Sequence, residues 1–258
     1  MHTGICPDDP QDIKQSRRNC DTEKVIAFVP KPENIIQPGG DGYEFEEHDG
    51  QWYVVVYTDG SLYDGDAEYF TRGGWGFYVG KDHCANYYKP LDTSEPTTFR
   101  AELRAILHAF QCAAMPVLVR SDCKGACKLA QNILDGKGFD YRHPDKDILE
   151  TIQWYAQNVN IQRIIRWMPA HLDEEDNHKK KAKYLKSGGT EEHILGNCAA
   201  DALAKKGADV NIKDQEAYDR YVNRRALTRA TQDFMVDVWR AEIRLVSRLR
   251  SSHRRKPF

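Results

Sequence analysis

Apolar positions come in short runs along the chain, and their spacing changes from run to run. Trp52 to Tyr57 is unbroken β-branched and aromatic, the composition of a strand buried on both faces, and Thr58-Asp59-Gly60-Ser61 follows it at once. Trp75 to Val79 reads as a second strand, and His83 to Tyr88, after the tight Gly80-Lys81-Asp82 connection, as a third, which makes an antiparallel meander. The period then turns helical. Thr97 or Thr98 can cap a helix to Cys112 whose apolar face includes Ala101, Leu103, Ile106, Leu107 and Phe110. Val117 to Val119 is a fourth strand. Helices are expected over 123–134, 145–158 and 197–208, with a fifth strand over 161–168 before the last of them. The order β-β-β-α-β-α-α-β-α predicts an α/β fold: a mixed five-stranded sheet, three antiparallel strands and then parallel ones, flanked by helices.

Three stretches stand outside this pattern. In residues 1–50, Pro7, Pro10, Pro30, Pro32 and Pro38 with Gly39-Gly40 break any period, so the region reads as an irregular extension that partly packs on the domain. Val25 to Val29 within it is a candidate short edge strand or docking segment. Residues 172–196 carry five lysines against six acidic residues, with Gly188-Gly189, and read as a charged loop insertion, mobile and lying over the site. Beyond 208 a helical pattern runs from Gln215 to Arg250, either as one helix or broken in two, so 209–258 is expected to add C-terminal helices.

Composition narrows the function classes. Apolar residues at 40% are enough for a core, and charged residues at 29% with a mean hydropathy of −0.70 leave no apolar run of the ~20 residues that a membrane span needs. The first residues lack the basic flank and apolar core of a secretory signal. Seven scattered cysteines fit reduced thiols in an intracellular protein, nuclear or cytoplasmic, better than a disulfide framework. The net charge of −2 hides an asymmetry. From Arg220 to Phe258 ten arginines and one lysine face Asp233, Asp237 and Glu242, a basic segment suited to a polyanion or to a protein partner.

The candidate chemistry lies in carboxylates. Asp59 ends the first strand, Glu102 sits in the early turns of the first helix, Asp122 ends the fourth strand and Asp201 lies in the last core helix. Singly they read as a turn residue, a helix N-terminal charge, a cap and a solvated position. If the first and fourth strands are parallel neighbours, Asp59 and Asp122 emerge at one edge, where packed helices could add Glu102 and Asp201. Four carboxylates held together need cations to stay ionised, and oxygen donors favour Mg²⁺ or Mn²⁺. Two such ions are the apparatus of in-line displacement at phosphorus. The histidines and cysteines at 171, 178, 193 and 198 match no zinc spacing.

These residues sit in Tyr-Thr-Asp-Gly-Ser (57–61), Gly-Gly-Trp-Gly (73–76), Phe-Arg-Ala-Glu-Leu-Arg-Ala (99–105), Val-Arg-Ser-Asp-Cys (119–123), Trp-Met-Pro-Ala-His (167–171) and Gly-Asn-Cys-Ala-Ala-Asp-Ala-Leu-Ala (196–204). In content and order they make residues 51–208 resemble the type 1 ribonuclease H domain. The resemblance implies that Asp59, Glu102, Asp122 and Asp201 hold two Mg²⁺ ions, and that His171 is the mobile histidine that moves a proton. It also implies that Ser61, Thr98, Arg100 and Asn197 touch the substrate or support it, and that Gly60 lets the backbone pass close to the scissile phosphate. The implied activity is endonucleolytic hydrolysis of the RNA strand of an RNA–DNA hybrid by a monomer. Positions 98 and 99, often polar amides in that family, are Thr98 and Phe99 here, Cys198 replaces a glutamate, and the basic protrusion near 135–147 is reduced. The rival reading is a catalytically weak or silent module that keeps the fold and binds nucleic acid. Exonuclease and integrase arrangements fit less well, because Asp59 is followed by Gly60-Ser61 and the glutamate comes second.

Overall fold

The structure is a computed structural model and describes residues 35–37, 41–65, 70–93, 95–211 and 214–253. The Val25–Val29 segment lies outside the described residues. The chain divides into two compact units, residues 1–212 and 213–258.

The first unit is built on one mixed sheet. Its strands are β1 (Phe45–His48), β2 (Gln51–Tyr63), β3 (Arg72–Tyr78), β4 (Tyr87–Pro90), β5 (Val117–Ser121) and β6 (Arg163–Trp167). The order across the sheet is β4-β3-β2-β5-β6, with β1 paired to β2 off that path. Pairs β1–β2, β2–β3 and β3–β4 are antiparallel, whereas β2–β5 and β5–β6 are parallel. Its helices are α1 (Thr98–Cys112), α2 (Lys124–Leu134), α3 (Lys146–Asn158), α4 (His178–Lys186) and α5 (Glu191–Asp209).

The expected α/β class and mixed sheet are present, with six strands among the described residues where five were expected. The added strand, β1, comes from the stretch expected to be irregular. It turns back onto β2 through Asp49 (φ 49°) and Gly50 (φ 78°), two left-handed positions that suit a tight hairpin. Polar pairs hold it: Tyr57 Oη donates to Glu44 Oε2 at 2.7 Å, and Arg120 donates to Glu46. The third strand is shifted to Tyr87–Pro90, because the Asn86 side chain accepts from Val79 N at 2.8 Å and donates to Gly80 O at 2.7 Å, closing residues 80–86 into a loop.

Residues 172–196 are not one loop. A 3₁₀ turn (Glu175–Asn177), α4 and the first turns of α5 occupy them, and Tyr184 and Leu185 of α4 pack against the core cluster of Tyr53, Val55, Tyr57 and Leu118. Thr190 caps α5, whose first residue Glu191 comes six residues before the expected start at Asn197: its Oγ1 accepts from His193 N at 3.1 Å, and Thr190 N donates to His193 Nδ1 at 3.2 Å.

Core packing sets how near the helices come. The larger cluster joins Val54, Val56 and Val119 of the sheet to Leu103, Ile106, Leu107 and Phe110 of α1. On the opposite face α5 runs directly over β3, where a Cβ at Gly76 would lie 2.4 Å from Ala200 O.

In the second unit the described residues hold a single helix, α6 (Gln215–His253), rather than two. Leu227, Phe234, Met235, Trp239 and Leu245 on it are all exposed. Among the described residues no helix is long and apolar enough to cross a membrane.

A buried carboxylate group at the edge of the sheet

The parallel pairing of β2 and β5 sets Thr58 opposite Ser121. Asp59 and Asp122 are the next residues on each strand, so both reach the same edge. Glu102 comes from α1, which lies across β2 there. Gly60 makes this approach possible, since a Cβ on it would lie 2.6 Å from Glu102 N and 2.8 Å from Ala101 Cβ. Gly60 thus makes room for α1 at the point where Glu102 enters the site.

One oxygen from each of Asp59, Glu102 and Asp122 lies within 4.8 Å of the others. Asp59 and Glu102 are buried, at 6% and 3% exposure. Burial, then the charges of Asp122 and Asp201, push the Asp59 carboxyl well above the usual carboxylate range. Burial, then Asp59 and Asp122, do the same to Glu102. An all-oxygen donor set of acids that resist ionisation by themselves is the set a hard divalent cation would satisfy.

Asp201 projects from α5 near this group but is not one of the three. Its carboxylate is paired with Lys205 Nζ at 2.7 Å, one turn further along the helix. Its charge still reaches Asp59. His171 also lies outside the three. It follows β6 with φ 56°, is exposed, and has Nδ1 3.4 Å from Glu174 Oε1. Asn177 Nδ2 donates to its carbonyl at 2.9 Å.

The expected substrate contacts separate into different roles. Asn197 is buried in α5, and its Nδ2 donates to Asp122 Oδ2 at 3.1 Å, while its Oδ1 is buried with no protein partner among the described residues. It sits in the second turn of α5, not at the start as the sequence suggested. Ser61 is buried on β2 opposite Gly74. Thr98 is exposed at the first position of α1, and its neighbour Thr97 caps the helix by accepting from Arg100 N at 3.0 Å.

Arg100 does not have the free guanidinium that a phosphate contact needs. It is 8% exposed and bonds Asp145 Oδ1 at 3.1 Å and Asp147 Oδ2 at 2.5 Å. Burial opposes its charge, but the bonds to Asp147 and Asp145 outweigh that and raise its pKa. It ties α1 to the start of α3. Phe99, in the place of an amide, packs toward Gly125 and His143 instead of facing outward as a polar group.

Ser121 was not singled out in the sequence. Its buried Oγ donates to Glu102 Oε2 at 3.3 Å and accepts from Cys123 N at 3.2 Å, which helps orient Glu102 and the turn into α2. The available signal was its place just before Asp122 at a strand end. Cys198 lies half-buried on α5, and burial, then Asp173, push its thiol up to about 11.

The comparisons with known proteins follow this geometry. A family model described as RNase H matches residues 51–209. No curated protein gives a match. Among solved structures, the PFV RNase H domain is 24% identical and covers 66% of this chain and 96% of its own, with a TM-score of 0.45. A foamy viral protease-reverse transcriptase, solved with an RNA/DNA hybrid, is 17% identical over 70% of this chain and 23% of its own, with a TM-score of 0.41. The RNase H1 of the halophilic archaeon Halobacterium salinarum is 19% identical over 60% of this chain and 96% of its own, with a TM-score of 0.37.

Proposed function

The chain belongs to the RNase H family, and on that footing we propose that it hydrolyses the RNA strand of RNA–DNA hybrids internally, leaving 5′-phosphate and 3′-hydroxyl ends. The observation that carries this reading is the buried group of Asp59, Glu102 and Asp122, whose oxygens lie within 4.8 Å of one another.

Asp59, Glu102 and Asp122 would hold two Mg²⁺ or Mn²⁺ ions, with Asp201 as the fourth carboxylate once it leaves Lys205. Bound divalent ions supply acidification of the attacking water and charge neutralisation at the leaving 3′ oxygen. Asn197 restrains Asp122 by donating to its Oδ2 at 3.1 Å. Ser121 restrains Glu102 in the same way. His171, exposed beyond β6, would be the group that exchanges protons with solvent.

The protein works inside the cell as a monomer. Its basic segment after residue 209 adds affinity for the same polyanion, which truncation after Val210 would test as a flatter dependence of binding on salt.

The decisive experiment is cleavage of a labelled RNA–DNA hybrid in Mg²⁺, beside double-stranded RNA and DNA controls. Cutting of the RNA strand alone, abolished by Asp59→Asn, is the expected result. An uncut hybrid, bound with or without Mg²⁺, would favour the silent binding module.

A further inference from the structure

We propose that Lys124 and Trp167 form a strand-binding subsite beside the carboxylates, Lys124 for a backbone phosphate and the Trp167 ring for the apolar side of a sugar. The inference rests on the proposed function, because the strand it describes is the one cut at Asp59, Glu102 and Asp122.

Trp167 is the last residue of β6 and pairs in register with Ser121, which pairs with Thr58. It therefore lies in the row of the sheet just before Asp59 and Asp122. Despite that position it is 46% exposed. The ring is not free to swing, because its Nε1 donates to Asp122 O at 2.9 Å. That bond uses the only polar atom of the indole, so what remains for a ligand is apolar surface. A fixed, exposed ring anchored on the backbone of a proposed metal ligand makes no contribution to the core clusters.

Lys124 opens α2 two residues after Asp122 and is exposed. Its Nζ lies 5.4 Å from the centre of the Trp167 ring. Among the described residues it is paired with no carboxylate, although it stands beside an acidic group. A cation left unpaired there suits an anion that arrives from outside. The surface continues past it to Phe99 of α1, whose Cε2 would lie 3.1 Å from a Cβ on Gly125.

The wide, shallow minor groove of an A-form duplex displays 2′-hydroxyls and base edges, and an apolar ring without a free polar atom makes no hydrogen bond to a base edge. The subsite therefore grips the strand without sequence preference. An indole that merely covers the lysine stem is the plain alternative, and it would leave hybrid affinity and salt dependence alone.

The test uses the full chain in Mg²⁺ with a labelled RNA–DNA hybrid, measuring kcat and KM across salt concentrations. Lys124→Ala is expected to flatten the slope of log(kcat/KM) against log salt by about 1 and to raise KM roughly five- to tenfold, while Lys124→Arg restores the slope. Trp167→Ala is expected to raise KM more than it lowers kcat. Tryptophan emission should change when hybrid is added to the wild type, and Trp167→Phe should remove most of that change. Lys124 is exposed, so its variants keep the fold whatever becomes of those at Trp167. A wild type that cuts the hybrid while Lys124→Ala keeps both slope and KM overturns the subsite and leaves the proposed function standing. A wild type that neither cuts nor binds the hybrid overturns both.

Discussion

A Cβ at Gly60 would lie 2.6 Å from the backbone nitrogen of Glu102. The gap in β2 where a side chain is missing is thus filled by α1, and it sets how close Glu102 comes to Asp59. Gly60→Ala should push α1 outward, costing about 1–3 kcal/mol of stability as overpacking and weakening Mg²⁺ binding by calorimetry. Gly65→Ala is the control, since among the described residues its Cβ would meet Leu62 Cδ2 alone, at an ordinary 3.5 Å. Equal Mg²⁺ affinity in Gly60→Ala and the wild type would show that the spacing of Asp59 and Glu102 does not depend on this contact.

The repulsion within the carboxylate group makes a prediction about pH. Asp59 and Glu102 both have raised pKa values in the fold. As pH rises from about 4, the unfolded chain releases these protons before the folded one does, so their contribution to stability is full in acid and lost toward neutral pH. Without divalent ions, Asp59→Asn should therefore raise the Tm at pH 7 by roughly 2–6 °C and have less effect at pH 4. Added Mg²⁺ should stabilise the wild type more than the variant. A variant that melts below the wild type at pH 7 in EDTA would contradict the account.

Asn197 and Asp122 are joined at 3.1 Å. Asn197→Ala should leave Asp122 free to turn, with a loss of roughly 10- to 100-fold in activity, the scale seen for residues that support metal ligands. Asn197→Asp, which sets a second carboxylate against Asp122, should be worse in low Mg²⁺ and partly recover as Mg²⁺ rises. Hybrid cleavage at several Mg²⁺ concentrations reads both effects.

The Arg100 pairs with Asp145 and Asp147 predict a structural phenotype. Arg100→Ala leaves buried Asp145 without its partner and should cost about 2–4 kcal/mol. Denaturant unfolding measures that loss. The salt dependence of hybrid binding should stay the same, whereas a flattened slope would return Arg100 to the phosphate-contact role.

His171 is exposed, so His171→Ala should leave Tm within about 1 °C. Its activity should fall roughly 10- to 100-fold, the scale of a lost proton-transferring side chain. Hybrid cleavage at the wild-type rate would remove His171 from the proton transfer.

The element order, most helix limits, a cap at Thr97 or Thr98 and the placement of Asp122 just past a strand end were legible in the chain itself, whereas Asp59, expected to end its strand, lies inside β2, which stays paired with β3 as far as Tyr63. Each depends on a local signal: a period of 2 or 3.6, a capping hydroxyl, or an apolar run ending in a carboxylate. β1 was hidden, because its four residues, Phe-Glu-Glu-His, hold no apolar run and their strand character comes from pairing with β2 and from the partners of Glu44 and Glu46. Residues 172–196 look like a loop by charge, yet α4 is held by its contacts with the second core cluster. The motif around Arg100 is equally local, but its task depends on aspartates 45 and 47 residues away. The same holds for Asp201, drawn aside by Lys205, and for Gly60, whose missing side chain matters only because α1 crosses there. Sequence by itself determined which groups are available and which segments fold locally. Only the tertiary structure decided which of them meet, because burial, pairing and close approach are properties of two surfaces at once and no single segment carries them.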